Sequence, residues 1–243
     1  MKMLLLVYVV CIASAFSAKL PDYLKRCDLK DPKLNDCLID HANQAIPVLV
    51  KGDPSIGIPV LSPLTIPKVE LSGERFTVTL TDVLFDNFKD MVVTESELDL
   101  PNNKYWFVLG CKYLNFTADY TLKDGQILTR TLSGDGRLEM SLMDNIMRYS
   151  SSMARYAKDD QTYLKSTEST LTLKSDRMYF NFENLWSDDD DGQDIAEFLQ
   201  ENWKVLQTKV LPGLEILIKE KIDAVMTAVQ ENSSIEESFI GYS

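Results

Sequence analysis

Histidine is almost missing from this chain: His41 is the only one, next to Asp40, and it reads as a surface residue of a short helix. Without a second histidine or a cysteine cluster there is no zinc site of recognised spacing, and no metal is expected. Cysteine is scarce as well, four in 243 residues, far from the density of a disulfide-built fold. Positive charge is in deficit, with 25 Lys+Arg against 37 Asp+Glu, a formal net charge of -12, and no Lys/Arg run longer than two residues. Phosphate backbones and anionic lipid recruit clustered positive charge, so nucleic acid is not an expected partner. Also lacking are a Gly-x-Ser-x-Gly elbow, a Walker loop and a dinucleotide fingerprint, and Gly134-Asp135-Gly136 reads as a turn. Catalytic residues and cofactors are therefore expected to be none. Setting Gly192 at the sixth position of a calcium loop puts Phe198 where the bidentate Glu belongs, so that motif fails too. Beyond the N-terminus no apolar run approaches the ~18 residues of a membrane span, so no stable membrane insertion is expected.

What is present is 45% hydrophobic and 26% charged residues, the balance of one folded domain. Met1-Lys2, the apolar run Met3 to Ile12 and the mainly small residues Ala13 to Ala18 read as a secretory signal peptide at 1–18, cleaved within Ala15 to Ala18. The mature single domain is then 19–243, extracellular and monomeric. Cys11 leaves with the signal. In an oxidising compartment Cys27 and Cys37 are the natural disulfide, pinning the N-terminal arm to the first helix, and Cys111 is left as a buried free thiol or an intermolecular bridge. Asn115-Phe116-Thr117 and Asn232-Ser233-Ser234 are glycosylation acceptors at Asn115 and Asn232.

From Asn35 to Val50, Leu38, Ile39, Ala42, Ala45, Ile46 and Leu49 recur at helical spacing, and four prolines from Pro54 to Pro67 then impose an extended connector. From Leu64 to about Leu185 the period is mostly two, as in Phe76, Val78, Leu80 and in Leu114, Phe116, Ala118, Tyr120, Leu122, the mark of antiparallel strands with one wetter face. Asn115 falls on that outer face. The phase places Lys112 inside, which predicts a bulge or twist near Gly110. Turns are expected at Pro101-Asn102-Asn103, Lys123-Asp124-Gly125 and Ser133-Gly134-Asp135-Gly136, while Met143 to Lys158 fits strand with some helical character. Gly192 to about Glu231 returns to helical spacing, about 60 Å of helix with a kink at Pro212 and the Asp188-Asp189-Asp190-Asp191 run at its start.

That long helix carries apolar residues on more than one narrow stripe and needs cover on more than one side, which a curved antiparallel sheet supplies. The pattern leaves two outcomes open: an internal apolar space that takes a lipid or terpenoid, or a filled core in a secreted protein that acts through a partner or receptor. Candidate ligand contacts are Trp203, Leu206, Val210 and Leu214 on the helix with Phe116 and Tyr120 on the sheet, the Tyr120 hydroxyl being placed to meet a carbonyl or epoxide oxygen.

Leu20-Pro21-Asp22-Tyr23-Leu24 with Cys27, then Asp31-Pro32-Lys33-Leu34-Asn35-Asp36-Cys37-Leu38, and Gly57-Ile58-Pro59 before Pro63-Leu64-Thr65-Ile66-Pro67 resemble the insect takeout and haemolymph juvenile-hormone-binding protein family. Tyr120-x-Leu122, Gly125-x-Ile127-Leu128, Gly134-Asp135-Gly136, Asn184-Leu185, Asn202-Trp203 and Leu211-Pro212 extend the likeness over nearly the whole mature chain. The resemblance implies an α+β fold in which a long C-terminal helix is wrapped by a strongly curved antiparallel sheet, enclosing an elongated hydrophobic tunnel. It further implies a secreted, non-enzymatic carrier of juvenile hormone or other lipid, with circadian and feeding physiology in the takeout branch. Two departures stand out: the hormone-carrier branch's second disulfide is lacking, which favours the takeout-like branch, and the tail Glu231-Asn232-Ser233-Ser234-Ile235-Glu236-Glu237 is polar, which puts ligand contacts from that tail in doubt.

Overall fold

The computed structural model describes residues 20–73, 75–187 and 194–242; the expected signal peptide and the Asp188 to Asp191 run lie outside the described residues. After β1 (Cys27–Asp28) comes α1 (Leu34–Leu49), which starts where the Asp31 carboxylate accepts the Lys33 N–H at 2.8 Å. The sheet follows as β2 (Leu64–Gly73), β3 (Phe76–Asp86), β4 (Val92–Asp99), β5 (Lys104–Ile127), β6 (Arg130–Lys158), β7 (Gln161–Lys174), β8 (Arg177–Phe182) and β9 (Leu185–Ser187). The chain then runs through α2 (Ile195–Glu201), α3 (Trp203–Asn232), α4 (Ile235–Ser238) and β10 (Phe239–Ile240).

β5 and β6, 24 and 29 residues long, pair antiparallel from Lys104↔Ser152 to Ile127↔Arg130 and carry the rest of the sheet. β3 lies along the C-terminal half of β5 and β4 along its N-terminal half; β7, β8 and β9 take successive parts of β6, and β2 edges β3. A straight strand of this length would reach about 80 Å. The ribbon bends instead, at register shifts between Thr81 and Leu84, Val93 and Glu95, Leu122 and Gly125, and Ser152 and Met153.

Two expectations are corrected here and one is met. Lys123-Asp124-Gly125 is a bulge within β5, with Asp124 at φ 46°, and the hairpin turns at Leu128-Thr129; Ser133 to Gly136 lies inside β6. An Asp-Gly pair that tolerates left-handed backbone serves a bend as readily as a turn. The twist expected near Gly110 is present: inward positions run Phe107, Leu109, Cys111, then switch phase to Leu114 and Phe116, leaving Lys112 and Tyr113 outside. β6 switches at the same level, Leu142 to Asn145, and the buried Asn145 amide bridges the break by donating to the carbonyls of Cys111 at 3.2 Å and Leu142 at 2.9 Å. Finally, the C-terminal helix is not one rod. It breaks at Asn202, whose N–H and side-chain amide both turn back to the Phe198 carbonyl, while α3 passes through Pro212 for 30 residues, about 45 Å.

α3 and α4 lie along the outer edge of β7 and occupy its free hydrogen-bonding groups. Gln207 donates to the Ser175 carbonyl just beyond β7 at 2.7 Å, Glu215 accepts the Leu173 N–H at 2.8 Å, Asp223 accepts the Ser169 hydroxyl at 3.0 Å, Gln230 accepts the Ser166 N–H at 2.9 Å and Glu236 accepts the Thr162 N–H at 3.1 Å. From Glu215 to Glu236, steps of six to eight residues along the helices and three to four along the strand both advance roughly 9–14 Å, so one polar row fits the other. The edge that would otherwise template aggregation is thereby covered.

Candidate cavity site

Two apolar cavities lie against α3. The larger, about 310 Å³, is lined by α1, the C-terminal half of α3, the inner face of β4 and β5, and the two chain ends. Ile218, Ile222, Val225, Met226 and Val229 stand at helical intervals on α3 and face it, opposite Leu38, Ala42, Ala45 and Leu49 of α1. The paired small side chains Ala42 and Ala45 keep α1 from filling the space. α1 is fixed to the sheet by Asn43, which donates to the Val93 carbonyl at 3.0 Å and accepts the Val93 N–H at 2.7 Å, taking a strand's place at the edge of β4. Tyr105 and Phe107 form the sheet wall. Burial raises the Tyr105 phenol, and its oxygen accepts from Ser96 at 3.4 Å.

The chain ends border this cavity. Tyr23 donates to Asp53 at 2.6 Å, β1 pairs parallel with β10, and the Arg26 guanidinium donates to the carbonyls of Glu236 and Phe239 at 2.7 and 2.6 Å. The polar tail, whose ligand contacts the sequence put in doubt, builds α4 on a Ser234–Glu237 capping box and buries Ile235; none of Glu231 to Glu237 lines the cavity, which Ser238 and Phe239 just beyond them border. Cys27 and Cys37 form the disulfide that ties the arm to α1. His41 is not a plain surface residue: its Nδ1 sits 3.3 Å from Cys27 Sγ and 3.6 Å from Cys37 Sγ, and its side chain borders the cavity. These three side chains are the one group of metal-ligand type among the described residues, but their sulfurs are bonded to each other.

The smaller cavity, about 70 Å³, lies at the other end of α3 between β2, β3, β5, β6, β8 and α2. Phe116, Leu206 and Val210 line it, with Lys209 at its rim. Leu214, 1% exposed, follows Val210 on α3, and Leu114 pairs with Leu142 on the sheet at the intermediate level; none of the three lines either cavity. Trp203 is half-buried under the Arg177 guanidinium, 4.8 Å from its ring centroid, and lines neither. Tyr120 is buried, edge-on to Phe182, and its hydroxyl is committed to the Glu183 carbonyl at 2.6 Å; burial pushes it up to about 12. Cys111 is buried, donating to the Tyr113 carbonyl at 2.7 Å, and burial raises its thiol. Asn115 is half-buried rather than open, its amide donating to Asn87 at 3.1 Å, and the Asn232 amide donates to the carbonyls of Ala228 and Ile56.

The α1 face, Tyr105, Phe107 and the C-terminal stripe of α3 are the cavity walls that sequence reasoning did not select. The helical stripes were visible; which stretch of each faced space rather than packed side chains was not.

No curated protein matches the chain. The crystal structure of Epiphyas postvittana Takeout 1 is similar in fold, with a TM-score of 0.78 and 21% identity over 88% of this chain and 98% of that one. A family profile described as haemolymph juvenile hormone binding protein matches residues 4–240, and the chain belongs to that family.

Proposed function

We propose that the protein is a secreted carrier that holds a small hydrophobic ligand, a juvenile-hormone-like terpenoid, a fatty acid or another lipid, in the larger cavity. The observation that carries this reading is the cavity itself, about 310 Å³ between two helices and a concave sheet, walled mainly by apolar side chains. That is the size and lining of small-molecule sites, and it weighs against the filled-core alternative. Burial supplies the affinity: at about 25 cal/mol per Å², covering some 400 Å² of ligand gains on the order of 10 kcal/mol before ordering costs. The polar contact first sought at Tyr120 passes to the Tyr105 hydroxyl, while Phe116, Leu206 and Val210 line the separate, smaller cavity. Secretion is supported by the Cys27–Cys37 disulfide and by the N-terminal signal pattern. No helix of the described residues is long and apolar enough to cross a membrane.

Native and denaturing mass spectrometry of protein secreted from insect cells tests the reading. A stoichiometric mass released on denaturation and recovered by solvent extraction is expected. A protein that is empty and also refuses added terpenoids, fatty acids and quinones would overturn it.

A further inference from the structure

Acidic residues outnumber basic ones 37 to 25 in this chain, yet among the described residues none lines the larger cavity, whereas Lys25, His41 and Lys221 do. The three differ in what already engages them. Lys25 donates to Gln44, and the His41 ring nitrogen faces the disulfide. Lys221 has neither an ion pair nor a hydrogen bond among the described residues, and its neighbours one helical turn away, Leu217, Ile218, Ala224 and Val225, carry no acceptor side chain. Two residues earlier, Lys219 faces the sheet and is fully engaged, 2.7 Å from Asp223 and 2.9 Å from the Ser169 hydroxyl. Lys221 is half-buried and borders the apolar wall of the cavity, a cation placed where it can meet a ligand's charged end.

Resting on the carrier reading, we propose that the ligand is an amphiphile with an ionised carboxylate, its chain in the larger cavity and its head group paired with the Lys221 ammonium. A carboxylate is deprotonated at neutral pH and forms a charge-assisted hydrogen bond with an ammonium, and a methyl ester of the same chain cannot form the ion pair. Chain burial is common to acid and ester, so the head group decides between them.

The test compares palmitic acid with methyl palmitate, each titrated into the full secreted chain by displacement of a fluorescent apolar probe. The acid is expected to bind at least about tenfold more tightly than the ester. Lys221→Gln is expected to remove that preference by weakening the acid alone, and Lys221→Arg to keep it. Equal binding of acid and ester by the wild type, or a preference unchanged in Lys221→Gln, overturns the carboxylate assignment while leaving the carrier reading standing. Should Lys221→Gln fail to fold, the wild-type acid-to-ester ratio together with its retention in Lys221→Arg decides. Exclusion of acid, ester and probe alike would bring down the carrier reading itself.

Discussion

Asp223 accepts hydrogen bonds from the Tyr149 hydroxyl at 2.8 Å, the Ser169 hydroxyl at 3.0 Å and Lys219 at 2.7 Å. Burial alone would raise its carboxyl, but these donors outweigh burial and hold it below the ordinary value of 3.8. A carboxyl depressed by folding contributes stability above its unfolded pKa and loses that contribution as pH falls through the lower folded value. Asp223→Ala, which also leaves the buried Tyr149 hydroxyl without its acceptor, should cost about 1–3 kcal/mol near neutrality. Urea unfolding of wild type and variant should show that difference shrinking on acidification toward pH 3. Leu214 makes the opposite kind of contribution, packing alone. Leu214→Ala should cost about 2–5 kcal/mol in the same assay, whereas Val205→Ala, at a residue 40% exposed on the same helix, should stay within about 0.5 kcal/mol.

The edge of β7 separates what one element does for another. Glu215→Ala should speed amide exchange at Leu173, and Gln230→Ala at Ser166, each locally, because each removes the acceptor of one strand N–H. A uniform rise along β7 would instead mean that α3 as a whole had loosened. The elements themselves were legible where periodicity was unbroken: α1 was placed within a residue at each end, and the alternation at Phe76 to Leu80 and Leu114 to Leu122 gave β3 and β5. The Asn202 break was not, because Leu199, Trp203 and Leu206 keep helical spacing across it while both helices lay their apolar faces on the same sheet. The hairpin position failed for a related reason. Asp124-Gly125 advertises left-handed backbone, but the sequence does not say whether the chain reverses or only bends there.

For the whole molecule, the apolar excess and the family likeness announced a hydrophobic interior, but not where the interior was left open. Phe107 and Leu109 line space, Leu114 and Leu142 are fully buried and line neither cavity, and all four are apolar residues of alternating strands. Ala45 offers a direct check on the location. It is buried on α1 and borders the larger cavity, so Ala45→Phe should occupy the space and abolish ligand uptake while thermal unfolding stays cooperative. Uptake unimpaired by the added ring would move the site elsewhere. The pairing of β1 with β10 and the covering of β7 by α3 carry a consequence for biosynthesis. Translation delivers residues 64–187 before residues 203–240, so a nascent chain displays a bent sheet whose apolar inner face and outermost strand are both bare. Closure of the chain ends then waits on residues about 200 positions apart in sequence, Cys27 and Asp28 with Phe239 and Ile240.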